Sequence, residues 1–401
     1  MNSPLRPTVI PLRVLQPSAQ RPSARAFFSL AFRPLYLAGT FWALCSVMLW
    51  VYFPQLLQGT MAGVFWHAHE MLWGFMATIA VAFLLTAGAN WTGRTPLEGK
   101  PLAALCVLWC VARVGFLLPF EWAFVLAAGC EWLFFVVGAG ALLRVIVLTR
   151  NKRNFAIPFM LLALAVIDAL YLWRVSLGHY ADLMQHFHVG LIVMALITAV
   201  IARRVIPFFA MRATQDLQVP MQQTSAWIQQ AACVLAVVAL GVNYAKVAAF
   251  ALALAGVLAL WQVWSWNPWA VRRNALLWVL YVGYAGLGLG LVLAGLQALG
   301  WALPRVFPVH TTAMAGMSVL IIGMVTRTAL GHTGRALAAD TTMRISYILM
   351  VAAAVLRLAS AWVGASAYGN VLLYMATIAW VVALALYLWQ FAPILIRPRA
   401  S

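Results

Sequence analysis

Trp66-His67-Ala68-His69-Glu70-Met71 opens an apolar run, Leu72 to Ala89, that closes on Asn90-Trp91-Thr92-Gly93-Arg94. The run carries no charged residue and is about as long as a helix must be to cross the hydrocarbon core, roughly 18–20 residues. Two histidines and a glutamate crowd its start. Ionisable groups at such a position are costly to bury, which makes them functional candidates.

The rest of the chain is of the same kind. Its 401 residues are 65% hydrophobic and 8% charged, with a mean hydropathy of +0.94. Water-facing surface needs charge and lipid-facing surface excludes it, so this is the composition of a polytopic membrane protein. In lipid the backbone must satisfy its own polar groups, and the apolar runs are long rather than alternating, which selects helices over a β-barrel. A net charge of +18 in a soluble chain would point to nucleic acid. Here it is accounted for by basic cytoplasmic loops. The expected partner is the lipid bilayer, with no nucleic acid.

About twelve spans of membrane length follow, near 35–54, 66–89, 101–118, 122–148, 155–174, 186–206, 225–242, 245–266, 275–298, 309–326, 343–363 and 370–391. Residues 1–33 carry Arg6, Arg13, Arg21, Arg25 and Arg33, no acid and several prolines. They read as a disordered basic arm ahead of a single membrane domain, 34–397. A cleaved signal peptide is not expected, because the arm is too long and no small-residue cleavage site follows the first apolar run. All but five of the 26 Lys and Arg fall in the arm, at the end of the chain or in alternate connections. The exceptions are Arg113, Arg174, Lys246, Arg305 and Arg357. The bias puts both termini in the cytoplasm. Cys45, Cys106, Cys110, Cys130 and Cys233 all lie in apolar runs and read as small hydrophobes, with no disulfide framework.

This topology gathers six of the seven histidines in the outer leaflet. His67 and His69 begin span 2, His179, His186 and His188 lie at the start of span 6, and His310 begins span 10. His332 alone falls at the inner end. The three spans are four helices apart, which suggests three four-helix units, 35–150, 155–266 and 275–391. His69 precedes Arg94 of Thr92-Gly93-Arg94 by 25 residues, and His310 precedes Arg335 of Thr333-Gly334-Arg335 by the same 25. His186 to Arg203 and His310 to Arg327 both span 17. In register, His69, His186 and His310 are equivalent, and one inserted residue would move the match to His188.

Imidazoles at one depth on different helices can converge on iron, copper or zinc. Isolated interfacial histidines that only hydrogen-bond near the headgroups are the plainer alternative. On a regular helix, residues i and i+2 lie roughly 200° apart, so His67 and His69 cannot both hold one ion from a helix. Either they serve two centres or an extended start brings them together, and His186 and His188 pose the same choice. Glu70 shares a face with His67 if both are helical. It could orient a ligand, relay protons, or lie at a helix N-terminus where the dipole favours a carboxylate. Arg174 and Arg305, on the histidine side, are candidates to hold an anionic cofactor edge such as a haem propionate, or are ordinary interfacial arginines. Arg113, Glu131, Asp168 and Arg357 lie inside spans and are expected to be paired. Nothing resembling GxGxxG, Walker A, HExxH or a Ser/His/Asp set is present.

Phe32-Arg33-Pro34, Trp66-His67-Ala68-His69-Glu70-Met71, Asn90-Trp91-Thr92-Gly93-Arg94, Arg203-Arg204-Val205-Ile206-Pro207-Phe208-Phe209 and Gly331-His332-Thr333-Gly334-Arg335 resemble, in order, the signature blocks of the NnrS family. The resemblance implies a bacterial inner-membrane protein that carries haem, of the b type, and copper. It also implies a part in the response to nitric oxide and nitrosative stress, with nitric oxide or a small gaseous ligand and an electron donor as partners. It supplies no defined reaction. A weaker likeness is to the catalytic subunit of haem–copper oxidases and nitric oxide reductases, which has twelve helices in three arcs. That likeness implies that His67 or His69 with His310 holds a haem and that His186 or His188 binds copper. His332 is a further candidate metal ligand. The chain departs from it at span 7, Trp227 to Val242, which has no histidine pair. The other function class is a transporter of a metal or small solute, with Asp168 and Glu131 as its buried acids.

Overall fold

In the computed structural model, which describes residues 21–180, 182–220 and 222–400, the apolar runs form twelve long helices. In chain order they are α1 (Phe32–Tyr52), α2 (Gly63–Thr92), α3 (Gly99–Gly115), α4 (Glu121–Leu148), α5 (Ala156–Ser176) and α6 (Leu183–Ala213), then α7 (Gln223–Gly241), α8 (Ala245–Ser265), α9 (Ala275–Ala298), α10 (Phe307–His332), α11 (Thr341–Val363) and α12 (Ala367–Leu395). Eleven are long and apolar enough to cross a membrane. The other, α3, has 17 residues with Arg113 in its last turn, at the short limit for a span. The described residues contain no strand. The chain is an all-α multi-pass membrane protein.

Local chemistry sets the helix ends. Asn274, Asp340 and Ser366 cap α9, α11 and α12 by accepting the backbone N–H of Leu276, Met343 and Gly369. Gly93 stops α2 in the left-handed conformation, at φ 67°. A side chain on Gly256 of α8 would run into the backbone of Gly288 on α9, so these helices approach at backbone distance, as small residues allow.

Three helices occupy the centre. In α2, α6 and α10, 83%, 78% and 78% of the most apolar window is buried, against at most 61% in the eight other spans measured. The remaining helices turn large apolar side chains outward, among them Trp122, Phe250 and Trp389. These suit lipid. Each central helix contains or borders the histidines and arginines singled out above. α2 and α10 also share a local distortion. Glu70–Ala77 and Thr311–Ser318 are π-helical and begin one residue after His69 and His310 respectively. Thr78 and Ser318 hydroxyls donate five residues back, to the carbonyls of Trp73 and Ala313. This satisfies acceptors that the wider turn leaves free.

The last long helix packs on the first, α12 on α1. Trp380 Nε1 donates to Ala43 O at 3.0 Å, and buried Arg33 donates to Leu395 O and Arg397 O at 2.9 and 2.6 Å. The described ends of the chain therefore lie on one face. Residues 1–20 of the expected arm lie outside the described residues. Its last part departs from expectation. Ser23 N–H donates to Ile396 O, Ala24–Phe27 forms a helical turn, and Phe32 and Arg33 are buried in α1. The arm's boundary moves back from residue 33 because Arg33 is needed to satisfy carbonyls at the end of α12.

Candidate functional site

The site is built on α2. The helix starts at Gly63, so His67 and His69 both lie on regular helix and point roughly 200° apart. An extended start does not bring them together, and they enter different surroundings. His67 stacks on Trp50 with ring centroids 5.3 Å apart and 13° between planes. It lies within electrostatic reach of His310 at the start of α10 and of Arg357 on α11. His310 Nδ1 faces Val306 O at 2.9 Å. A carbonyl only accepts, so Nδ1 carries the proton and Nε2 keeps a lone pair. That division of roles is the usual one for a histidine that binds metal. His67 Nδ1 is buried with no hydrogen-bond partner among the described residues.

His69 faces the other way, into a sealed ionic cluster drawn from four helices. Its Nδ1 is 2.9 Å from Glu70 Oε1, and its Nε2 lies 3.0 Å from Asp168 Oδ1 on α5 and 3.2 Å from Glu131 Oε2 on α4. Arg113, in the last turn of α3, bridges Glu70 and Glu131. Trp42 Nε1 of α1 donates to Glu70 as well. Every member is buried. Gly74 makes room for this, since a side chain there would meet the Arg113 guanidinium and the Glu70 carboxylate. The π-helical stretch from Glu70 onward widens α2 where they converge.

Three carboxylates against one guanidinium leave two negative charges in this cluster. An imidazolium at His69 would offset one and a divalent cation both. His69, Glu131 and Asp168 are the described residues whose ligand atoms all lie within 4.8 Å of one another. Their separations match the ~3.0 Å between neighbouring ligands on an octahedral ion bound at about 2.1 Å. They match hydrogen bonds from an imidazolium equally. One nitrogen and several carboxylate oxygens suit a hard or borderline ion better than copper. The cluster has no room for a macrocycle.

The other expected residues are placed as follows. His186 and His188 lie in the first turns of α6, both partly exposed. His186 Nδ1 addresses Asp182 O at 3.0 Å, again freeing Nε2. Among the described residues neither joins a third potential metal ligand at coordinating distance. Arg174 ends α5 with its guanidinium over Trp173, and Arg305 is exposed ahead of α10. The arginine that acts on both His67 and His310 is instead Arg357. His332 lies at the opposite end of α10, 5.4 Å from the Phe32 ring, away from the other histidines. The register that pairs His69 with His310 does not bring their side chains together. His67 takes that place. Glu70 serves His69 rather than His67, and it lies well inside α2, not at its N-terminus.

Residues 26–399 match the family model described as NnrS protein. The chain belongs to the NnrS family. As a member it is a membrane protein of the nitric oxide response. Comparison with individually curated proteins gives no match. The NnrS match takes in every element that contributes to the cluster and to the His67–His310 pair.

Sequence reasoning left the buried pairs unnamed. Arg113, Glu131 and Asp168 were visible as intramembrane charges, but their partners sit on separate helices and no spacing links them. Arg357 had the same signal, a lone cation inside span 11, and its neighbours on α2 and α10 emerge only from the packing.

Proposed function

We propose that this protein is a haem- and copper-binding protein of the bacterial inner membrane, with cytoplasmic termini, that handles nitric oxide or its metal adducts. Its metals are held by histidines at the outer ends of α2, α6 and α10. The observation that carries the reading is that His67 and His310, on two central helices, lie within electrostatic reach of each other and of Arg357. His67 and His310 would hold a haem iron through their imidazoles, and Arg357 would pair with a propionate. His186 and His188 would bind copper through imidazole nitrogens. A haem at this place supplies a redox-active iron that binds nitric oxide. Trp50 fixes the His67 ring by stacking, and Val306 O fixes the His310 tautomer. The buried cluster around His69 holds charge beneath the site and can pass a proton between His69 and Asp168. The termini follow from the basic loops.

The protein purified in detergent is expected to contain iron and copper and to show a Soret band that shifts on addition of nitric oxide. Replacing His186 and His188 together should remove copper and leave the Soret band. A metal-free, colourless protein from cells supplied with both metals would sink the proposal.

A second reading is favoured by the His69–Glu131–Asp168 group, which has the donors of a buried cation site. It makes the protein a cation transporter. Uptake into sealed vesicles that is lost in Asp168→Asn would favour it over the first.

A further inference from the structure

At the arginine-rich ends of the central helices is a cavity of about 490 Å³. We propose that it binds an anion of the phosphate class, as the headgroup of an anionic lipid or as a free phosphoester. Arg153 in the turn just ahead of α5, Arg204 of α6, Arg327 of α10 and Arg399 of the C-terminal tail line it, together with Asn90 and His332. Three of the sequence blocks that the metal site leaves unused therefore meet on one space.

The cavity is built rather than incidental. Arg204 donates to Asn154 Oδ1 at 2.7 Å. Arg327 is 6% exposed and lies over the Phe209 ring at 3.8 Å. The tail is folded back so that Ala400 N–H donates to Thr333 O at 3.0 Å, which brings Arg399 over the opening. The Nε–H groups of Arg204 and Arg327 are buried without a hydrogen-bond partner among the described residues.

Among the described residues no carboxylate pairs with these guanidinium groups. Every ion pair among the described residues belongs to the His69 cluster. Residues 1–20 contain no Asp or Glu. Guanidinium groups brought together and partly desolvated repel one another, and the arrangement is stable when an anion supplies the missing charge. A carboxylate would offset one of four cations. A phosphate group can carry two charges and presents several acceptor oxygens to guanidinium forks arriving from different helices. The volume is many times the ~30 Å³ of one water, so a substituted phosphate fits better than a bare one. Basic pockets between transmembrane helices take lipid headgroups in the same way.

The full-length protein in nanodiscs of neutral phosphatidylcholine is titrated with inorganic pyrophosphate, and in parallel is purified from discs containing phosphatidylglycerol or cardiolipin for native mass spectrometry. Saturable binding of pyrophosphate identifies a free phosphoester site. Retention of anionic lipid, without pyrophosphate binding, identifies a headgroup site. In either arm Arg327→Gln and Arg204→Gln should weaken binding at least tenfold. Arg399→Gln, on the exposed tail, should weaken it several-fold in a protein of unchanged melting temperature. No binding in both arms, or binding indifferent to all three substitutions, overturns the proposal. Neither readout depends on bound haem or copper.

Discussion

Arg113 is the residue on which the buried cluster turns. Its guanidinium bridges Glu70 and Glu131 with no solvent to share the charge. Removing one partner of a buried pair leaves the other charge unpaired, at a cost of about 3–5 kcal/mol. Arg113→Met should therefore lower the melting temperature in detergent sharply. Adding Glu131→Gln to Arg113→Met should recover much of the loss, because one of the stranded charges goes with it. A single variant as stable as the parent would show that the cluster is not held by charge pairing. At this scale the sequence was informative about cost and silent about partners. Arg113, Glu131 and Asp168 had to be paired, yet pairing depends on helix rotation, which a uniformly apolar span does not encode. His67 and His69 illustrate the same limit. Their i, i+2 spacing separates them on a helix, but the numerical register pointed to His69, and the side chain that reaches His310's neighbourhood is that of His67.

The elements themselves were far more legible. Apolar length in a bilayer fixes a helix almost regardless of detail, so the expected spans match the helices closely, from 275–298 for α9 to 66–89 for Gly63–Thr92. The π-helical segments of α2 and α10 were not legible, since nothing in the composition of Glu70–Ala77 or Thr311–Ser318 distinguishes them from ordinary apolar helix. They nevertheless matter for the site. A π-turn accommodates an extra residue in the helix and so sets the rotation of everything on its far side. Deleting Met71 should let α2 revert to α-helical pitch and rotate His67 by about 100°. The deletion should abolish the Soret band while leaving phosphate binding at the arginine cavity intact. Retention of the native spectrum would show that the π-segment does not set the position of His67.

For the whole molecule, the three most buried helices are α2, α6 and α10, the same three that contain or border most of the histidines and the arginine blocks. A polytopic chain with few polar residues has placed them along its central axis, the imidazoles other than His332 toward one end and the guanidinium groups of these helices toward the other. In the orientation proposed from the basic loops, the guanidinium end faces the cytoplasm. Fluorescent-protein and alkaline phosphatase fusions at residue 401 should be bright and inactive respectively, and alkaline phosphatase fused after Trp301 should be active. The reverse pattern would invert the molecule and place the His67–His310 end in the cytoplasm. Hydropathy made the fold class readable, whereas the join between helices, such as Arg33 on the end of α12, had no sequence signal. The measurement that bears most directly on the account is the optical spectrum and iron content of the purified chain, wild type beside His67→Ala, His310→Ala and His69→Ala. The account predicts a Soret band and bound iron in the wild type, both lost in His67→Ala and His310→Ala. In His69→Ala it predicts that the haem remains and the protein is destabilised. Haem lost only with His69, or retained when both His67 and His310 are replaced, would contradict it.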